Sequence, residues 1–171
     1  MYKYSEIKLP NIKEDYRKKE GVPGVYVWGY YENDSIFIPL YVGKSRNVFE
    51  RLIQHFCRFK AGEYTIFDKQ DLVDIYCNKK NISPKKIYVP ISFRNILDFT
   101  NGVNSDHVFM VTNFTFRYIE ILDKEIKKQA EYYLADLVQR EKLITHVYKG
   151  NSGSLNTQYI DLKNELERMV I

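Results

Sequence analysis

Cysteine is scarce in this chain: Cys57 and Cys77 are the only two among 171 residues. They form no Cys-x-x-Cys pair, so a zinc cluster is not expected, and two free thiols in a reducing, cytoplasmic setting are. No apolar run reaches membrane length and no signal-peptide pattern appears, so no membrane partner is expected. Charge of one sign is barely in excess. Lys and Arg number 26 against 22 acidic residues, a net of +4. That balance permits a nucleic-acid partner without demanding one. There is no internal repeat, low-complexity tract or linker. No dense Asp/Glu cluster of the kind that holds two metals is present, and no zinc-finger or helix-turn-helix appendage.

What is abundant is aromatic. Fifteen Tyr and ten Phe sit in a chain that is 44% hydrophobic, enough for one well-cored domain and hardly two. Tyrosine suits both core edges and binding surfaces.

Residues 1–20 are polar and charged and read as a surface arm or a short helix. "GVPG" at 21–24 breaks the chain. "VYVWGYY" alternates and predicts a strand, "ENDS" a turn, and "IFIPLYVG" a second strand, in which Pro39 favours an edge or a bulge. A helix follows, with Asn47 as cap, Glu50 three residues on, and Val48, Leu52 and Phe56 along one stripe. "DKQDLVDIYCNKKN" predicts a helix, "KKIYVPISF" a strand and "NGVNSDH" a loop. "FTFRYIEIL" predicts a third principal strand. Asp123 then caps a long helix, "KEIKKQAEYYLADLVQREK", and "YKGNSGSLN" is a loop. A short amphipathic helix through Leu162, Leu166, Met169 and Val170 closes the chain. The β-β-α then β-α order predicts an α/β domain of α+β type. It should have a small, mainly antiparallel three-stranded sheet flanked by helices. The expected division is an arm at 1–20, a domain at 21–160 with an insertion at about 65–113, and a terminal helix at 161–171.

By the period of two, Gly24, Tyr26, Trp28 and Tyr30 share one face of the first strand, and Tyr41 and Gly43 share one face of the second. If the faces coincide, two phenols meet beside backbone that glycine leaves bare. Arg51 and His55 lie one turn apart on the following helix, at the edge of its apolar stripe. Lys44 sits at the strand-to-helix junction. A guanidinium fork, an ammonium, an imidazole and two phenols suit an anion such as phosphate. A tyrosine there can hydrogen-bond an attacking water or act as its base. Each member also has a plain structural reading: a cross-strand tyrosine, a solvated helix face, a glycine turn. His107 and His146 show no partner spacing.

"GVY" at 24–26, "YVG" at 41–43 and "RLIQH" at 51–55 resemble the GIY-YIG nuclease family, with Val in place of Ile in both tripeptides. The ten residues from Tyr41 to Arg51 and the continuation "YVGKS" also match, and "FTFRYIEI" is similar to that family's third strand. The resemblance implies metal-dependent hydrolysis of DNA phosphodiester bonds, in a restriction or repair setting. It implies that Tyr26 activates or positions water. Arg51, with Lys44 and Tyr41, would bind the scissile phosphate, while His55 orients Tyr26 or contacts phosphate. Glu131, in "AEYYLADLV", would hold one Mg²⁺ or Mn²⁺. Glu131 lies on the apolar stripe with Leu134, Ala135 and Val138, where a carboxylate needs a partner or a metal. Its alternatives are an ion pair with Lys127 or Lys128, or replacement as ligand by Glu141. Asn156 is the counterpart of an asparagine that follows the family's last core helix, with Asn151 as the alternative. Gly43 supports the site by leaving room, and Tyr64 has two readings, groove lining and a surface clip. One active site per monomer would nick, so double-strand cleavage implies a homodimer or two encounters. A nucleic-acid-binding module that kept the fold without turnover is the competing reading, and an unrelated domain with structural tyrosines the third.

Overall fold

The strand β2 (Gly24–Asn33) organises the molecule, because its alternation buries both of its faces. The computed structural model describes residues 1–9, 11–12, 16, 21–87, 105–140 and 155–171. In chain order the elements are β1 (Ser5–Lys8), β2, β3 (Ile36–Ser45), α1 (Val48–Lys60), β4 (Ile66–Phe67) and α2 (Lys69–Tyr76). Then come β5 (Lys86–Ile87), α3 (Ser105–Thr112), β6 (Phe114–Glu120), α4 (Lys124–Arg140) and α5 (Ile160–Arg168). The fold is α+β. An open antiparallel sheet runs in the order β1-β6-β2-β3, and β4 and β5 pair separately.

Odd and even residues of β2 face different cores. Val25 and Val27, with Val42 and Ile119, pack against Ala130, Leu134 and Val138 of α4 and Leu162 and Leu166 of α5. Tyr26, Trp28 and Tyr30, with Phe114 and Phe116, pack against Val48, Leu52 and Phe59 of α1, Leu72 of α2 and Met110 of α3. Burying such side chains contributes about 1.5–3 kcal/mol each, and both faces of the sheet are covered in this way.

Local chemistry fixes the ends. Asn33 turns the β2–β3 hairpin: its Oδ1 accepts from the backbone N–H of Ser35 (3.0 Å) and Ile36 (3.1 Å). Asn47 caps α1, accepting from the N–H of Phe49 and Glu50. Asp123 caps α4 through the N–H of Ile126 at 2.8 Å. β3 is an edge strand, and its register slips beside Pro39, opposite Gly29. A Cβ on Gly29 would run into the carbonyl oxygen of Ile38, so the close approach there requires glycine.

The structure corrects several expectations. Residues 5–8 are not an arm: β1 is a fourth strand, paired with β6 from Ser5 opposite Tyr118 to Lys8 opposite Thr115. The buried Arg117 of β6 holds it there. Its guanidinium donates to Glu6 (2.7 Å), to the Tyr31 hydroxyl (2.6 Å) and to the carbonyl of Met169 (2.8 Å). Burial alone would raise the Glu6 carboxyl, but the hydrogen bonds and charge of Arg117, with Tyr31 and Lys8, hold it below its ordinary value. Ser105, Asp106 and His107 belong to a helix rather than a loop, and His107 is buried, its Nε2 donating to the carbonyl of Phe59. The helix expected over 68–81 spans only Lys69–Tyr76. Of the strand expected over 85–93, Lys86–Ile87 is formed, and residues 88–93 lie outside the described residues, as do Glu141, His146 and Asn151. The closing helix packs into the α4 side of the core. Cys57 and Cys77 are free thiols. Among the described residues no helix is long and apolar enough to cross a membrane.

Candidate active site

Tyr26 of β2 lies directly opposite Gly43 of β3, and Trp28 opposite Tyr41, so the two expected faces do coincide. The consequence differs from the expectation in one respect. A Cβ on Gly43 would sit 2.5 Å from the Tyr26 hydroxyl oxygen and 2.6 Å from its ring carbon. Gly43 therefore leaves room for the Tyr26 ring itself. That ring is only 3% exposed and stacks on Phe116 at 5.0 Å and on Tyr41 at 6.3 Å.

From this aromatic bed the Tyr26 hydroxyl emerges onto the wall of a cleft. The same cleft is lined by Tyr41, Lys44, Arg51, His55 and Glu131. These side chains come from β2, β3, α1 and α4, so the two faces of the sheet meet at the end of β3. Lys44 belongs to the face that packs on α4, and its ammonium pairs with the carboxylate of Glu131. Glu131 is 2% exposed. Its partner is thus Lys44, rather than Lys127 or Lys128 on its own helix.

His55 holds the centre. Its Nε2 is 2.9 Å from the Tyr26 hydroxyl and its Nδ1 2.7 Å from the Tyr64 hydroxyl, and its ring lies 4.7 Å from that of Tyr41. Burial first, then the charges of Arg51 and Arg58, push its pKa down to about 4. The imidazole is neutral near pH 7, with one nitrogen donating and the other accepting. One phenol must therefore donate to His55 and the other accept from it. Burial, with the neighbouring Tyr41, raises the Tyr26 phenol far above its ordinary value, and Arg51 pulls the other way. Tyr64 is also raised, by burial first, against the pull of Arg58.

No protein-family model, curated protein or solved structure matches this chain.

Tyr26, Tyr41, Gly43, Lys44, Arg51, His55 and Glu131 converge. Asn156 does not join them: its Oδ1 accepts from the backbone N–H of Gln158, capping the short turn before α5. Three further side chains line the cleft: Gln54, Arg58 and Tyr64. Arg51, Gln54, His55 and Arg58 fall at i, i+3, i+4 and i+7, one face of α1, and that spacing could have found them. Arg51 donates to Gln54, while Arg58 donates to Glu63 at 2.9 Å and lies over the Tyr64 ring. Glu131 is the carboxylate on this cleft that could hold a Mg²⁺ or Mn²⁺ ion, which binds through one or two carboxylates together with phosphate oxygens and water, in place of its ion pair with Lys44.

Proposed function

We propose that this chain is a divalent-metal-dependent endonuclease of GIY-YIG type that hydrolyses DNA phosphodiester bonds. The observation that supports this most is the convergence of Tyr26, Arg51, His55 and Glu131 on one cleft from three separate elements, β2, α1 and α4. Arg51 is exposed at its mouth, and its planar fork suits the non-bridging oxygens of a phosphodiester. Lys44 is the second cation on that side, and Tyr41 a neutral donor. A Mg²⁺ or Mn²⁺ ion on Glu131 would offset charge on the leaving 3′ oxygen.

The hydrogen-bond chain provides for the proton of the attacking water. With Nδ1–H donating to Tyr64, the Nε2 lone pair of His55 accepts the Tyr26 hydroxyl proton. The Tyr26 oxygen is then turned to accept a proton from water. As the water attacks phosphorus, its proton passes to Tyr26 and the Tyr26 proton to His55. The raised phenol value disfavours a free phenolate at Tyr26, so a concerted transfer is the chemistry that this burial allows. A phosphodiester on Arg51 would cancel one of the charges that lower His55, making the imidazole more basic when substrate is present.

The depth of Tyr26 favours a second reading, a module that binds nucleic acid through Arg51 and Lys44 without turnover. Supercoiled plasmid separates the two. The nuclease converts it to nicked circles with Mg²⁺ and not with chelator. Tyr26→Phe lowers the rate on the order of 10²–10⁴-fold and Arg51→Ala on the order of 10²–10³-fold. Retention on DNA with no nicking in either condition would establish the binding module instead.

A further inference from the structure

Beside the cleft lies a second groove, lined by residues from the β3–α1 junction and the first turn of α4. We propose that this groove is a track for the phosphate backbone of nucleic acid, seating two further phosphates of the strand that occupies the cleft. Lys44 and Arg51 line both the groove and the cleft, so the two are continuous. Beyond them the groove presents Arg46, Lys124, Lys127 and Lys128, against a single carboxylate, Glu50. In the whole chain cations and carboxylates are nearly balanced, 26 to 22. The imbalance here is local.

Lys127 makes the case for a ligand. It is 8% exposed, yet among the described residues no carboxylate lies within ion-pair distance of it. Its partners in charge are Arg46 and Lys44, which, after burial, push its ammonium below the ordinary lysine value. An unpaired cation in a protein wall is costly, and like neighbours add to the cost. A phosphate in the groove would reverse the sign of that interaction for all three side chains. The N-termini of α1 and α4 border the same groove and add their positive ends. The groove's lysine ammoniums act as point charges, which suits a backbone that is positioned rather than read.

The position of the groove relative to the scissile bond rests on the nuclease reading, but its affinity does not. The test is therefore equilibrium binding in chelator, where no cleavage occurs. A short fluorescent duplex is titrated with the full chain over a range of salt. Arg46→Gln/Lys124→Gln/Lys127→Gln is expected to reduce the slope of log K against log salt by about two, as for two lost phosphate contacts. Lys3→Gln/Lys85→Gln/Lys86→Gln removes the same charge from exposed positions outside the groove and should leave the slope unchanged. Thermal unfolding checks that both variants are folded. If the groove variant keeps the wild-type slope, or the control loses as much, the track is wrong. Wild-type cleavage with Mg²⁺, run in parallel, distinguishes the failures. Cleavage with an unchanged slope removes only the groove, and a reduced slope without cleavage removes only the nuclease.

Discussion

Replacing His55 by glutamine isolates the clearest electrostatic consequence of this site. In the folded chain the imidazole is held between two phenols, with its pKa lowered from 6.5 to about 4. The unfolded chain binds that proton at the ordinary value. Below about pH 6.5 the unfolded state therefore takes up a proton that the folded state refuses, so stability falls as pH falls, until both states are charged near pH 4. Each pH unit inside that window is worth at most about 1.4 kcal/mol. Between pH 7.5 and pH 5 the loss from His55 alone is about 2 kcal/mol. For a chain of this size that is roughly 4–8 °C in Tm. Glutamine does not titrate and can still bond both phenols, so His55→Gln should lose that much less than wild type over the same range. Urea unfolding of both proteins at several pH values measures the difference, and groups common to both, such as Glu6 and His107, cancel. Parallel pH profiles would refute the neutral, doubly bonded imidazole, and with it the proton path from Tyr26.

Gly43→Ala drives the Tyr26 ring off its seat; it should cost about 1–3 kcal/mol in urea unfolding and lose nicking to the extent that Tyr26→Phe does, and wild-type behaviour would mean the ring does not lie over Gly43. Tyr64→Phe removes the partner of His55 Nδ1; a stability loss of about 1 kcal/mol should accompany a shift of the imidazole ¹⁵N signals toward the other tautomer, and unchanged signals would remove Tyr64 from the relay. Arg117→Met leaves Glu6 without its guanidinium and α5 without a tie to β6; a loss of about 3 kcal/mol or more in urea unfolding is expected, and a near-neutral result would show that β1 is held by other contacts.

The parts of this fold legible in the chain were those whose signal is local. The alternation of 25–31, the Asn47 and Asp123 caps and the long stripe of α4 each fix an element without outside help. The period of two even placed Tyr26 and Gly43 on matching faces, because a hairpin with a short turn leaves little choice of register. β1 was illegible for the opposite reason. Only Ile7 of its four residues is buried, and its place depends on Arg117, over a hundred residues away. α3 was hidden because Asn, Gly and Ser announce a loop, while its burial against α1 and β2 is a tertiary matter. In the site, residue types on one element could be listed, but pairings across elements could not. Lys44 looked like a phosphate ligand and is found on Glu131, a contact between the end of one strand and the middle of a helix. Asn156 looked like a site residue because asparagine suits many roles, and its use here is the commonest one, a cap.

In the proposed nuclease, Glu131 and Arg51 hold a metal ion and a phosphodiester side by side. Crystals of the Tyr26→Phe variant with Mn²⁺ and a short duplex test it directly. An anomalous Mn²⁺ peak is expected on the Glu131 carboxylate, next to a phosphate bonded by Arg51. A peak on another carboxylate such as Glu141, or Glu131 still on Lys44 with duplex bound elsewhere, would contradict it.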